Sequence, residues 1–468
     1  MGLLKKLNNV RGGYPEGWRR LALGTDGNAT PPFHQPTDPN DRRSLIPALG
    51  LREYWYPALP DKDVPWKKPV GLKLLGERYV FFRDTKGEVQ ALWDYCPHRG
   101  VYLSWGDCFW KGYVSCPYHG ATFDGDGECV EFITEGPDSK MVGRLKARKY
   151  PTRTLHGVVF VWMGEGEPAP IEEDVPPEFF RDDSELVFMT TWRYWDCNWM
   201  IALENTSDAH NATYVHRNAI RHMFGPHAKT AARPRTPLGY PSKIVNGRAA
   251  VGTTQKGRED VAKYYYKDGK MPYQLYYPRV NGKWPLTKWR LSWAWFFEWI
   301  ERFYSKRELL EGSEEWRGGM HLPGMQRINH LYTRWCIPVE ENLTRVLYVR
   351  TRRIKTKVGR FYERVSFRAI VEWLNHYNFS DQDYDAMRSS RWQYPEYLSA
   401  TDSHVVAQRR LITEHARGLK RHVEVRDATT AERLVVEAHE LLGIKRDDDA
   451  GFVHVPDETH DEQSSVKD

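Results

Sequence analysis

The chain has 468 residues and a formal net charge of +6, with 40% hydrophobic and 28% charged residues. That is enough length for two or three domains with sizeable cores. No apolar run reaches the ~20 residues that cross a bilayer, the basic residues are dispersed, and the six cysteines contain no CxxC pair. The numbers therefore argue against a membrane protein, a nucleic-acid binder and a disulfide framework, and a reducing cytoplasm fits the cysteine usage. The start, Met1-Gly2-Leu3-Leu4-Lys5-Lys6, has neither the apolar core of a signal peptide nor the Ser/Thr of a myristoylation site.

Residues 1–48, rich in Gly, Pro, Asn and Asp, read as an extended arm. Residues 49–165 read as a small β-domain: Tyr79–Arg83 and Val89–Trp93 are strand-like, and Asp84-Thr85-Lys86-Gly87 between them is turn chemistry. Two short clusters follow, Cys96-Pro97-His98-Arg99-Gly100 and Cys116-Pro117-Tyr118-His119-Gly120, with 17 residues between His98 and Cys116. Tyr113–Ser115 leads into the second, and Phe123–Gly127 turns out of it. Both pairs should therefore lie on loops at hairpin tips. Val158–Trp162 is a closing strand, and Gly164–Pro170 a linker.

The larger part, residues 171–425, opens with strand-like Leu186–Tyr194. Asn198–His216 reads as a helix, strands and loops continue through Arg353, and Asp383–Arg417 reads as helix broken near Pro395. The stretch 264–316 is crowded with aromatic and basic residues. Residues 426–468 are expected to form a C-terminal helix and a disordered acidic tail. The fold class is α+β, a small all-β domain beside a larger domain with an antiparallel sheet flanked by helices.

Each of the two clusters offers one thiolate and one imidazole. Two Cys and two His can hold a [2Fe–2S] cluster of the Rieske type, with both Cys on one iron and both His on the other. Neutral imidazoles in place of two thiolates raise the reduction potential, giving a one-electron port suited to chemistry that uses O₂. The competing assignment is structural zinc, which accepts Cys₂His₂. Common zinc fingers pair Cys with Cys and His with His, whereas here each cluster mixes them. Downstream, Glu204–His216 concentrates carboxylates and imidazoles on the expected helix. Two His and one carboxylate form the facial triad of non-haem Fe(II) oxygenases, which leaves positions open for O₂ and substrate. Asp383 is the best distant carboxylate.

With these residues in place, the chain resembles the α (terminal oxygenase) subunit of the Rieske non-haem iron aromatic-ring-hydroxylating oxygenases, of the phthalate-dioxygenase and O-demethylase type. CPHRG and CPYHG match the cluster motifs. Glu204-Asn205, Asp208 and His216 resemble the iron motif, Trp335–Val339 a late strand, and Asp383 stands at the third iron ligand. The resemblance implies cluster ligands Cys96, His98, Cys116 and His119, iron ligands His210, His216 and Asp383, and catalytic roles for Asn205 and for Asp208. The last is a carboxylate that bridges a cluster imidazole to an iron imidazole. One departure stands out. The family spaces its motif Asp, two residues, His, four residues, His, which puts Asn211 where a His is expected. His210 is one residue away, a 100° rotation on a helix. Either a local bulge swings His210 to the iron or Asn211 takes the place; His222 is a further substitute.

The resemblance also implies a homotrimer or dimer of trimers, in which the cluster of one subunit faces the mononuclear iron of the next. Electrons come from NAD(P)H through a separate reductase or ferredoxin, since no GxGxxG fingerprint or second cluster motif is present. Arg217, Arg221, His222, His227, Lys229, Arg233 and Arg235 follow His216, and Arg suits carboxylates. The lead expectation is O-demethylation or hydroxylation of an aromatic carboxylate, such as vanillate or its biphenyl dimer. Ring cis-dihydroxylation is the alternative; N-demethylation and desaturation stay open. A Rieske electron carrier with a degenerate iron site is the alternative of another class.

Overall fold

A computed structural model of the chain describes residues 33–38, 40–207, 215, 242–252, 296, 316, 318–328, 332–398 and 402–419. Residues 1–32, most of 264–316 and the tail from 420 lie outside the described residues, so the expectations for them are not addressed. Asp208, His210, Asn211, His216, His222 and the basic run 217–235 also lie outside.

The first part is built from β1 (Trp55–Pro60), β2 (Val70–Leu74), β3 (Glu77–Arg83), β4 (Val89–Trp93), β5 (Val114–Ser115), β6 (Ala121–Phe123), β7 (Cys129–Phe132), β8 (Lys149–Tyr150), β9 (Thr152–Leu155) and β10 (Val158–Trp162). They form three antiparallel sheets, ordered β2-β3-β4-β8, β5-β6-β7 and β1-β10-β9. Two turns of the same design set their registers. Asp84 Oδ1 accepts from the Lys86 and Glu88 amides, and Asp124 Oδ1 from those of Asp126 and Glu128. Gly87 (φ 94°) and Gly127 (φ 80°) close them in the left-handed region, which the Asp side chain and the glycine together make accessible. At Gly127 a Cβ would sit 2.0 Å from the Ala147 carbonyl oxygen.

The second part centres on one antiparallel sheet of seven strands. These are β11 (Leu186–Trp195), β12 (Ser242–Val245), β13 (Ala249–Gly252), β14 (Gly319–His321), β15 (Met325–Ile328), β16 (Tyr332–Glu340) and β17 (Leu343–Arg353), ordered β11-β17-β16-β15-β14-β13-β12. β11 pairs with β17 from Leu186↔Arg353 to Trp195↔Thr344. The parts interlock through main chain: the Leu75 and Gly76 amides donate to the Pro338 and Val339 carbonyls at 2.9 and 3.1 Å. This is the α+β class expected. No helix of the described residues is long and apolar enough to cross a membrane.

The helices depart from expectation in their bounds. α1 (Trp199–Glu204) is capped by Asn198, whose Oδ1 accepts from the Met200 amide. It then tightens into a 3-10 turn, Asn205–Ser207, rather than continuing as α-helix. The Thr206 hydroxyl donates to the Leu203 carbonyl at 2.5 Å, a local bond that competes with helical hydrogen bonding. A helical rod, of which only the end from Asp383 was expected, runs from α2 (Lys357–Ser366) through π-helical turns at Phe367–Val371 and Trp373–Phe379 into α3 (Ser380–Met387). Asp383 therefore lies inside α3 instead of starting a helix. α4 (Ser403–His415) follows, and residues 388–398 are non-helical, a wider interruption than a break at Pro395.

The rod is fastened to the sheet by buried polar contacts. Arg193 on β11 donates to Asp381 at 2.6 Å and to the His376 carbonyl at 2.7 Å. Both side chains of the Arg193–Asp381 pair are under 5% exposed. The Tyr384 hydroxyl donates to Asp196 at 3.0 Å and that of Thr191 to Glu372 at 2.9 Å. Removing one partner of a buried pair strands a charge, at a cost of about 3–5 kcal/mol, whereas removing both is far better tolerated. Arg193→Met should lower unfolding stability by about that amount in chemical denaturation, and Arg193→Met/Asp381→Leu by clearly less. Equal losses would show that the pair is not what fastens α3.

Candidate metal centres

The two Cys–His loops have one backbone design. In each, the Cys amide donates to the carbonyl five residues on, Cys96 to Val101 and Cys116 to Ala121, both at 2.8 Å. In each, the closing glycine amide donates back to the Cys carbonyl, Gly100 to Cys96 at 2.8 Å and Gly120 to Cys116 at 3.1 Å. Both glycines are left-handed, at φ 71° and 72°. The second loop joins β5 to β6, and a Tyr95↔Tyr102 bridge closes the first. Both are thus hairpin tips, as the sequence suggested.

This folding turns backbone N–H groups toward the sulfurs: those of His98 and Arg99 toward Cys96, those of Tyr118 and His119 toward Cys116. The thiols are hydrogen-bonded to one another, which pulls Cys116 down to about 6 against the opposing effect of burial and pushes Cys96 up. The cysteines are buried, while His98 and His119 are half-buried, their ring centroids 4.8 Å apart and inclined at 63°. Phe132 lies 5.2 Å from the His98 ring, and Tyr118 stacks on His119 at 3.7 Å.

The donor set fits a [2Fe–2S] cluster. Two thiols sit together in amide cradles that stabilise thiolate, and two imidazoles sit together at the rim. A two-iron cluster of this type takes two thiolates on one metal and two imidazoles on the other.

Of the expected mononuclear-iron residues, the structure describes Asp383 and Asn205, and brings them together. Both are buried, and Asn205 Nδ2 donates to Asp383 Oδ1 at 3.3 Å although 178 residues separate them. Asp208, His210 and His216 lie outside the described residues. A buried carboxylate held by a neutral donor is a chemically suitable iron ligand. One neighbour had gone unnoticed in the sequence. Arg334 on β16, 3% exposed, donates to Asn205 Oδ1 at 3.3 Å and to the Ala202 carbonyl at 3.0 Å. Its signal was an arginine set among strand residues, directly before Trp335-Cys336-Ile337, where a lone charge needs a buried partner.

The profile of the Rieske [2Fe-2S] domain matches residues 54–151, and that of the homotrimeric ring hydroxylases residues 162–249. The chain is 36% identical over 173 residues to the terminal oxygenase component of carbazole 1,9a-dioxygenase from Metapseudomonas resinovorans, covering 37% of this chain and 44% of that one. It is 35% identical over 168 residues to the oxygenase subunit of phthalate 4,5-dioxygenase from Pseudomonas putida, covering 36% of this chain and 37% of that one. It is 32% identical over 168 residues to the oxygenase component of dicamba O-demethylase from Stenotrophomonas maltophilia, covering 36% of this chain and 48% of that one. The chain thus spans less than half the length of these relatives. The solved terminal oxygenase of carbazole 1,9a-dioxygenase from Novosphingobium sp. KA1 superposes with a TM-score of 0.58 at 25% identity, over 80% of this chain and 95% of that one.

The matching loops differ at one point. A Cβ at Gly120 would lie 2.6 Å from Ile133, whereas among the described residues no atom within 4 Å would meet one at Gly100. Gly100→Ala should show mainly the left-handed penalty, ~1–2 kcal/mol. Gly120→Ala should lose more, seen as a lower thermal midpoint for bleaching of the cluster's visible absorption. Equal midpoints would contradict the asymmetry.

Proposed function

We propose that this chain is a Rieske terminal oxygenase that uses O₂ and electrons from a separate reductase or ferredoxin to oxidise an aromatic carboxylate, as its matches to the Rieske domain and to the homotrimeric ring hydroxylases support. The family carries a Rieske [2Fe–2S] cluster and a mononuclear iron. When bound, the first supplies single electrons and the second the activation of O₂.

In this reading Cys96 and Cys116 hold one iron of the cluster from the buried side, and His98 and His119 the other from the rim. Exposed Tyr118, stacked on His119, lies at that rim. His210, His216 and Asp383 hold the mononuclear iron, Asn205 orients Asp383, and Asp208 accepts imidazole N–H bonds to couple the centres across a trimer interface. What carries the reading is the joining of Asn205 to Asp383, since it brings the two distant halves of the expected iron motif to one buried point.

Asp383→Ala should lower the iron content from three per chain to two, with the cluster's EPR signal retained. Full retention of the third iron would remove Asp383 from the ligand set. A wild-type content of two would favour the electron carrier.

For the substrate, the lead is a methoxylated aryl acid such as vanillate or its biphenyl dimer. Relatives are named for phthalate, 3-chlorobenzoate and dicamba O-demethylation. Hydroxylation of the methoxy carbon puts one oxygen atom of O₂ on that carbon and the other in water; collapse then releases formaldehyde and the phenol. The carbazole relatives, named dioxygenases, favour cis-dihydroxylation as the second reading. An oxygen-uptake screen of aryl carboxylates with a generic reductase separates them. O-demethylation produces formaldehyde in step with O₂ uptake; uptake that yields a diol and no formaldehyde supports the second reading.

A further inference from the structure

We propose that Arg334 is a positioning residue for the mononuclear iron centre, acting through Asn205 to fix the orientation of the Asp383 carboxylate. The inference rests on the reading of Asp383 as an iron ligand.

The argument is one of donors and acceptors. A guanidinium can only donate, and an amide has one end of each kind. Arg334 Nη1 takes the Asn205 Oδ1. A flipped amide would set its NH₂ against the cation, so Nδ2 is left to face Asp383 Oδ1, where it donates at 3.3 Å. The Asn205 side chain thus has one permitted orientation, and the carboxylate meets a donor from a fixed direction.

Arg334 is itself held on several sides. Its Nη2 donates to the Ala202 carbonyl in α1, two residues before Glu204 and three before Asn205. Its guanidinium carbon lies 4.3 Å from the Trp195 ring centroid and 5.6 Å from that of Tyr348, within cation–π range. The sheet, α1 and α3 therefore meet in one relay of cation, amide and carboxylate.

The amide in the middle matters. A guanidinium bonded directly to Asp383 would compete with a metal ion for its oxygens. The neutral link passes on orientation while Arg334 itself bonds the Asn205 amide. Partners that orient a metal ligand in this way typically change metal affinity about 10–100-fold when removed.

The test measures Fe(II) affinity by chelator competition on the whole chain, alongside the cluster's visible spectrum and the thermal midpoint. Arg334→Met should weaken Fe(II) binding about 10–100-fold with the cluster spectrum retained. Asn205→Ala should weaken it comparably, and the double variant should be no worse than the weaker single one, because both break the same relay. Asn205→Asp offers a second route if Arg334→Met does not fold: it keeps an acceptor for Arg334 but removes the donor to Asp383, and should lose affinity as Asn205→Ala does. Wild-type affinity in either Arg334→Met or Asn205→Asp, or additive losses in the double variant, overturns the relay. Wild-type affinity in Asp383→Ala overturns instead the ligand reading on which it rests.

Discussion

The contact between Asn205 and Asp383 depends on a helix staying where the sheet puts it, and the buried pair of Arg193 and Asp381 is a constraint that keeps it there. The same guanidinium holds the His376 carbonyl, so one cation ties the end of the π-helical segment to the start of α3. Thr191 and Arg193 are two apart on β11 and therefore point to one face of the sheet. They reach Glu372 and Asp381. The phase of a strand thus fixes the phase of a helix. A buried ion pair of this kind adds less to net stability than to uniqueness, because a shifted helix would leave charges without partners in a dry interior.

The two centres are built on opposite plans. The Cys–His loops are closed by their own main chain, within residues 96–121, and need little from outside. The Asn205–Asp383 contact joins residues 178 apart. It exists only after β11, α1, β16 and α3 have assembled. The first centre is a local motif presented by a stiff sheet. The second is a product of tertiary structure, with its groups held by buried side chains such as Arg334 in place of turns.

That difference also governs what the sequence discloses. β4 and β10 fall on the residues expected, and β3 differs only by starting earlier, at Glu77. Their turns carry Asp and Gly at fixed offsets, and the strands are apolar runs of the right length. The two Cys–His loops were legible as hairpin tips for the same reason, since their residue types and spacing are local. The sequence also put Asp383 on a helix, because a carboxylate on a helix is a local signal too. Arg334 was not legible, because its role is defined by Asn205, 129 residues earlier. In the rod from Lys357, Val358, Phe361 and Val365 point to solvent while Glu363 is buried, so its buried face could not be read from its apolar residues, and the π-helical turns that follow shift the phase of any periodic pattern.

The two glycines that end the loops differ in an otherwise shared backbone design. Ile133 fills the space beside Gly120, whereas no described residue comes within 4 Å of a Cβ at Gly100. The same loop design therefore tolerates a side chain at its first closing glycine better than at its second, where Ile133 stands in the way.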